Sequence, residues 1–335
     1  MRAPDFWWRK PGIAAALLAP AGKLYGAIAA RRLAATGIEA AIPVLCIGNP
    51  TLGGAGKTPT ALAVARLLIA AGARPAFLSR GYGGRLAGPV QVDPQRHHAD
   101  LVGDEPLLLA RVAPTIVARD RVAGAAAAAA GGAGIIVMDD GFQNPSLRKR
   151  RSLLVIDAGR GIGNGRIFPA GPLRAPLAAQ LDRASALLII GDGPDHASLG
   201  VVQQAAAARH LPLFRGRLAP DPAAVAALRA RPVLAFAGIG DPEKFFATLA
   251  AAGIAAPRRQ NFPDHHRYSD AELKTLVAEA ERLGLVPLTT EKDAVRLTGE
   301  AAGALRGRLT TLPVTLEAEA AEDFRRFVLS ALDRA

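Results

Sequence analysis

The chain has 335 residues, 50% apolar and 5% aromatic, enough for a sizeable core and about two domains of roughly 100–200 residues each. That composition excludes a disordered tail protein and a collagen-like fibre, and a single cysteine, Cys46, excludes a disulfide scaffold or a cysteine-held zinc cluster. A net charge of +12 asks for an anionic partner: nucleic acid, an acidic membrane surface or a phosphorylated substrate.

The charge is localised. Residues 1–38 carry Arg2, Arg9, Lys10, Lys23, Arg31 and Arg32 against Asp5, a net +5. Residues 148–174 carry Arg148, Lys149, Arg150, Arg151, Arg160, Arg166 and Arg174 against Asp157, a net +6. A uniformly basic nucleic-acid binder does not concentrate its charge in this way. In the first patch Phe6, Trp7 and Trp8 precede Arg9 and Lys10, and residues 13–30 are apolar apart from Lys23. Pro11, Pro20 and Lys23 argue against a bilayer-spanning helix, which needs about 20 uninterrupted apolar residues. The absence of a small-residue site after a clean apolar core argues against a cleaved signal peptide. Aromatics beside cations ahead of a moderately apolar helix predict that 1–38 lies on an anionic membrane surface; a helix packed on its own domain is the alternative.

From residue 39 short apolar runs alternate with helical stretches. Strands are expected at 43–47, 76–79, 115–117, 135–138, 153–156 and 187–190, with helices at 58–71, 105–112 and 121–130. This alternation predicts an α/β fold with a doubly wound parallel sheet covered on both faces. The apolar run 122–138 is split by Gly131, Gly132 and Gly134 into a helix and a buried strand. A piece bracketed by Pro212, Pro220 and Pro222 reads as a linker strand, 213–220, ending a first domain at 39–212. Alternation restarts at 232–237, 242–252, 257–261, 269–283 and 286–289, predicting a second, smaller α/β domain over 221–335.

The strongest chemical signal follows the first strand. Gly48-Asn49-Pro50-Thr51-Leu52-Gly53-Gly54-Ala55-Gly56-Lys57-Thr58 opens a helix, the context of a P-loop. Glycines let several N–H groups face one phosphate, and the helix N-terminus adds partial positive charge. Thr51, Gly53, Gly54, Ala55, Gly56, Lys57 and Thr58 are the nucleotide-binding candidates, with Lys57 on the phosphates and the Thr58 hydroxyl on Mg²⁺. The strict pattern has glycine where this chain has Thr51. The strand 135–138 ends in Asp139 and Asp140, as a magnesium-binding strand does. No Asn-Lys-x-Asp motif reads guanine, so ATP is the expected nucleotide.

Phosphoryl transfer also needs a group to accept or orient the nucleophile's proton. Asp104, in Gly103-Asp104-Glu105-Pro106, by itself reads as a helix cap, and the histidines of Asp264-His265-His266 as surface residues. An acid and a histidine meeting across a cleft would form a catalytic pair, but spacing does not show that they meet. The glycine-rich basic loops 79–85 and 163–174 suit an anionic substrate.

The motifs Gly-Asn with Gly-Gly-Ala-Gly-Lys-Thr-Pro (48–59), Ser-Arg-Gly-Tyr-Gly-Gly (79–84), Gly-Asp-Glu-Pro (103–106), Asp-Asp-Gly-Phe-Gln (139–143), Gly-Asn-Gly-Arg with Pro-Ala-Gly-Pro-Leu-Arg (163–174), Phe-Pro-Asp-His-His (262–266) and Thr-Thr-Glu-Lys-Asp-Ala (289–294) occur in this order. The set resembles the tetraacyldisaccharide 4′-kinase family of lipid A biosynthesis over essentially the full chain. Ala175, where many members have glutamate, and the Arg/Lys-rich run after Phe142-Gln143 are departures. The resemblance implies a P-loop domain joined to a smaller α/β domain by a two-stranded linker. It also implies ATP- and Mg²⁺-dependent phosphorylation of the 4′-hydroxyl of a tetraacylated glucosamine disaccharide 1-phosphate, at the cytoplasmic face of the inner membrane. By motif, Asp104 carries over as base with His265, Lys57 as the phosphate-binding catalytic lysine, and Thr58, Asp139 and Asp140 as metal ligands. Asn49, Arg80, Tyr82, Gln143, Asn164, Arg166, Arg174 and His266 are the substrate-side candidates. Glu291, Lys292 and Asp293 receive no role. The expected partners are the lipid substrate and an anionic membrane surface, with neither nucleic acid nor an obligatory protein partner. Alternatives are a carboxylate-activating P-loop ligase and a non-enzymatic ATP switch on an anionic partner.

Overall fold

In β5 (Ile135–Asp139), Ile135 and Val137 pack into one apolar cluster, and Ile136 and Met138 into another. A strand whose alternate side chains are both apolar must be covered on both faces, which is the situation of a parallel sheet. The computed structural model, which describes residues 3–191, 195–297, 303 and 307–333, shows that arrangement. β1 (Val44–Gly48), β2 (Pro75–Ser79), β3 (Val90–Gln91), β4 (Thr115–Val117), β5, β6 (Arg151–Asp157), β7 (Ala186–Ile190), β8 (Leu213–Pro220) and β13 (Val314–Ala318) form one sheet of nine strands. Its order is β13-β8-β7-β6-β1-β5-β2-β4-β3, parallel except for the edge strands β3 and β13. A second, four-stranded parallel sheet has the order β10-β9-β11-β12, from β9 (Val233–Ala237), β10 (Arg258–Asn261), β11 (Val286–Thr290) and β12 (Thr310–Leu312).

The register brings the chemistry together. β1 lies between β5 and β6, with Ile47 opposite Asp139. The loop leaving β1 and the acids leaving β5 therefore share one sheet edge, where open α/β sheets bind ligands. Residues 213–220 are an integral strand of the large sheet, paired with both β7 and β13. Residues 314–329, inside the span 221–335, also lie on that sheet. β13 returns antiparallel to β8, and the helix Ala321–Leu329 buries Phe324 and Val328 in the cluster that contains Val64 and Leu68 of α2 (Lys57–Ala70). β13 has only five residues, and its pairing is set by the free edge of β8, which no local signal announces.

A 3₁₀ turn (Asp5–Trp8) precedes α1 (Ile13–Ala34), among the described residues the one helix long and apolar enough to cross a membrane by length and composition. Pro20 lies inside it without ending it. Its buried positions are small: Ala15, Gly22 and Gly26, with Leu33 near the end. A Cβ on Gly26 would stand 2.6 Å from Ile167 Cδ1, and one on Gly22 2.9 Å from the Ile167 carbonyl, so glycine is what lets this helix approach the domain. Ile13, Leu17 and Leu24 point outward at 82%, 77% and 68% exposure. The helix packs on its own domain and still presents an apolar face. Trp7 departs from the interfacial expectation: it is buried, its indole N–H donates to the Pro169 carbonyl at 3.0 Å, and its ring meets Phe168 edge-on.

Candidate active site

A cleft of about 1640 Å³ separates the carboxyl edge of the large sheet from the small domain. The loop 49–56 enters it from β1. Gly56 has φ +84°, a left-handed conformation that lets the chain turn directly into α2, and Gly53 has φ +111°. Open space surrounds the positions where side chains on Gly53 and Gly54 would stand, as a phosphate cradle requires. Thr51 needs no glycine, because it forms an antiparallel bridge with Leu173. Its carbonyl accepts from Asn49 Nδ2 at 2.6 Å and from Arg174 Nε at 2.9 Å. Asn49 is fully buried and takes a bond from Lys57 Nζ on Oδ1 at 3.1 Å, so it aims the lysine and does not line the cleft.

The two acids after β5 are in contrasting states. Asp140 has φ +50° and receives Arg174 on both oxygens at 2.7 and 3.2 Å, with Lys57 at 3.7 Å. Burial pushes its carboxyl up, but Lys57 and Arg174 outweigh burial and hold it down at about 2. Asp139 is buried, and its Oδ1 has no hydrogen-bond partner among the described residues. Burial first, and the Asp140 charge second, push it up to about 7. An orphaned buried carboxylate beside a phosphate loop fits a magnesium ligand, with the Thr58 hydroxyl on the same cleft wall. Asp140 is already engaged by Arg174. Burial lowers the Lys57 ammonium, partly offset by Asp140.

Across the cleft, Asp104 and His265 meet although 161 residues separate them: Nδ1 lies 3.0 Å from Asp104 Oδ2. Asp104 begins the helix Asp104–Leu109, and His265 sits in a left-handed turn of the small domain at φ +57°. Tyr82 packs edge-on against His265 at 5.7 Å. Burial acts to raise the Asp104 carboxyl, but His265, Lys292 and Arg296 hold it well below the usual carboxylate range. Asp104, Glu105 and His265 are close enough to hold a metal, but Lys292 already pairs with Glu105 at 2.7 Å and Arg296 with Asp104 at 2.7 Å. Among the described residues, the buried carboxylate oxygen without a hydrogen-bond partner is Asp139 Oδ1.

Arg80, Tyr82, Gln143 and Arg174 line the same cleft. Gln143 bridges the Asn49 carbonyl at 3.0 Å and Gln180 at 3.2 Å. Besides Asn49, three substrate-side candidates fall elsewhere. Asn164 donates to the Phe6 and Ala170 carbonyls and so ties the N-terminal turn to the loop 163–174. Arg166 is exposed away from the cleft. His266 stacks on Phe262 and bonds Glu272, whose carboxylate forms a capping box with Ser269. The second basic patch also divides: Arg160 and Arg174 reach the cleft, whereas Arg148 pairs with Glu39, Lys149 binds the Phe142 and Asn144 carbonyls, and Arg151 binds Ser330. Long cationic side chains adjacent in sequence point to different sides of a strand and its loop, so a run of charge is not one surface.

Composition and motifs passed over Gln180, Arg121 and Arg296. Gln180 is fully buried and donates to the Pro50 and Ala175 carbonyls. Arg121 lines the cleft, almost wholly buried, with Nη1 lacking a hydrogen-bond partner among the described residues. Its position at the first turn of the helix that follows a sheet strand was the available signal.

A family profile described as Tetraacyldisaccharide-1-P 4'-kinase matches residues 14–333. A protein of Methylobacterium sp. (strain 4-46) named tetraacyldisaccharide 4'-kinase is 64% identical, covering 94% of this chain and 93% of that one. One of the same name from Rhodopseudomonas palustris (strain BisA53) is 55% identical over 100% of this chain and 97% of its own. The crystal structure of LpxK from Aquifex aeolicus, described as an "apo" form in complex with ATP, superposes with a TM-score of 0.74 at 25% identity, covering 96% of this chain and 100% of that one. With these relatives spanning both sheets and the cleft between them, the chain belongs to the tetraacyldisaccharide-1-P 4'-kinase family.

Proposed function

We propose that the protein transfers the γ-phosphoryl group of ATP to the 4′-hydroxyl of a tetraacylated glucosamine disaccharide 1-phosphate, the lipid A 4′-kinase step, while seated on the cytoplasmic face of the inner membrane. The observation that carries this reading is the Asp104–His265 pair facing the Lys57 loop across one cleft. The glycine cradle and Lys57 hold the nucleotide phosphates. Asp139 and Thr58 would hold magnesium, which would supply charge neutralisation for the phosphoryl group being transferred. Asp104, oriented by His265, accepts the proton of the sugar hydroxyl. A strongly acidic carboxyl suffices, because in a loose transition state the proton leaves late and alignment matters more than basicity. Arg80 and the buried Arg121 supply positive charge for the acceptor's phosphate. The exposed face of α1 enters the acyl region of the leaflet, and Arg9, Lys10 and Lys23 meet anionic headgroups at about 1 kcal/mol each.

The test is transfer of label from γ-labelled ATP to the lipid disaccharide. Lys57→Ala and Asp104→Ala are expected to lower turnover by at least about 10²-fold with the fold intact. Near wild-type turnover in Asp104→Ala and His265→Ala would remove the base assignment. Release of an acyl phosphate without lipid phosphorylation would favour a carboxylate-activating ligase.

A further inference from the structure

Every described hydrogen bond to the Asp104 carboxylate ends on one oxygen. Oδ2 accepts from His265 Nδ1 at 3.0 Å and from Arg296 Nε at 2.7 Å; Arg296 Nη2, which makes no hydrogen bond of its own among the described residues, stands 2.5 Å away as an ion-pair contact, and Lys292 Nζ lies at 3.9 Å. No described hydrogen bond ends on Oδ1, and Asp104 lines the cleft. Lys292 is drawn chiefly to Glu105, at 2.7 Å. Arg296 is thus the closest full positive charge on the acid.

Arg296 is itself fixed. Its side chain is nearly buried, and Nη1 donates to the Gly238 carbonyl at 2.6 Å and to Asp293 Oδ1 at 3.0 Å. Asp293 has no solvent exposure and accepts from the Gly238 N–H, the Tyr268 hydroxyl and the Thr290 hydroxyl at 3.0, 3.0 and 2.7 Å. The Gly238 carbonyl that accepts from Arg296 also accepts the backbone N–H of His265 at 3.1 Å. One peptide group at the end of β9 therefore presents both partners of Asp104 as a unit. Asp104 stands on the large domain, and everything that grips it stands on the small one.

We propose that Arg296 is the positioning residue of this site: it pins Oδ2 of Asp104 so that Oδ1 is presented to the acceptor hydroxyl, and it makes assembly of the base depend on seating of the small domain. The Thr289-Thr290-Glu291-Lys292-Asp293-Ala294 segment then has a task, with Asp293 as the buried socket of the guanidinium. Only a planar fork reaches Asp104, Gly238 and Asp293 together; an ammonium is a point donor. The proposal rests on Asp104 being the base, and its test separates the two.

The groups facing Asp104 are His265 from the loop after β10, Lys292 and Arg296 from the turn after β11, and Glu105 on its own helix. In the full-length enzyme, Arg296→Gln is expected to lower kcat about 10²-fold, the cost of roughly 1 Å of misplacement, and to leave KM for ATP unchanged. Losing the cation also weakens the hold on the ionised carboxyl, so the acid limb of the kcat profile moves up by about one pH unit. Arg296→Lys keeps the charge and loses the fork: the acid limb stays, and kcat falls about tenfold. In an Asp104→Asn background, Arg296→Gln should add no further loss. Wild-type kcat and acid limb in Arg296→Gln, beside an inactive Asp104→Asn, overturn the positioning role alone. Should the glutamine variant not fold, wild-type kcat in Arg296→Lys overturns it. Wild-type turnover in Asp104→Asn removes the base assignment instead.

Discussion

Asp139 and Asp140 are adjacent and chemically opposite. The difference comes from one backbone angle and one arginine: the left-handed turn at Asp140 carries its carboxylate to Arg174, and Asp139 is left in the wall without a partner. Asp139 titrates near 7 in the fold, above its ordinary value. A carboxyl raised on folding adds stability that is full below its unfolded pKa of about 3.9 and is lost as pH rises through 7. Without added metal, the thermal midpoint should therefore fall between pH 5 and pH 8. Mg²⁺ should recover more of it at pH 8 than at pH 6, and Asp139→Asn should flatten the slope. A slope unchanged by Asp139→Asn would contradict the assignment.

At the scale of elements, α1 inverts the usual amphipathic helix: small residues face the protein and large apolar ones face out. The two faces should respond independently. Gly26→Leu places side-chain atoms where Ile167 already lies, and is expected to cost about 1–3 kcal/mol, read as a lower unfolding midpoint. The pair Leu17→Asp and Leu24→Asp should leave the midpoint in place and abolish flotation with anionic vesicles. Equal flotation of this variant and the wild type would mean that the outward face does not meet lipid. Buried small residues at helical spacing can be read from sequence as a packing stripe, but which stripe faces the domain depends on the loop 167–170 that receives it.

For the whole molecule, ion pairs bridge the cleft at both ends. Arg160 meets Asp241 at 2.8 Å, and Lys244 meets Asp157, on one side; Lys292–Glu105 and Arg111–Glu291 close the other. Partly exposed pairs contribute only about 0.2–1 kcal/mol each. The Arg160→Glu variant is expected to raise the radius of gyration in solution scattering and lower turnover a few-fold, and the swap Arg160→Glu with Asp241→Arg should restore both. Failure of the swap to restore the scattering profile would mean that this pair does not hold the cleft.

Short-range physics was legible along the chain: the strands apart from β3, β12 and β13, from apolar runs; the P-loop, from glycines between a strand and a helix; the paired acids at the end of β5; and the motif order that marks the family. Which of those residues meet depends on how the two sheets pack. The tertiary structure brought His265 and not His266 to Asp104, turned Arg174 onto Asp140, sent Arg148–Arg151 away from the cleft, and returned β13 to β8. Backbone periodicity and turn chemistry act over a few residues, whereas these contacts join segments up to 192 positions apart, as Arg296 and Asp104 are, and exist only once two sheets have packed around one cleft.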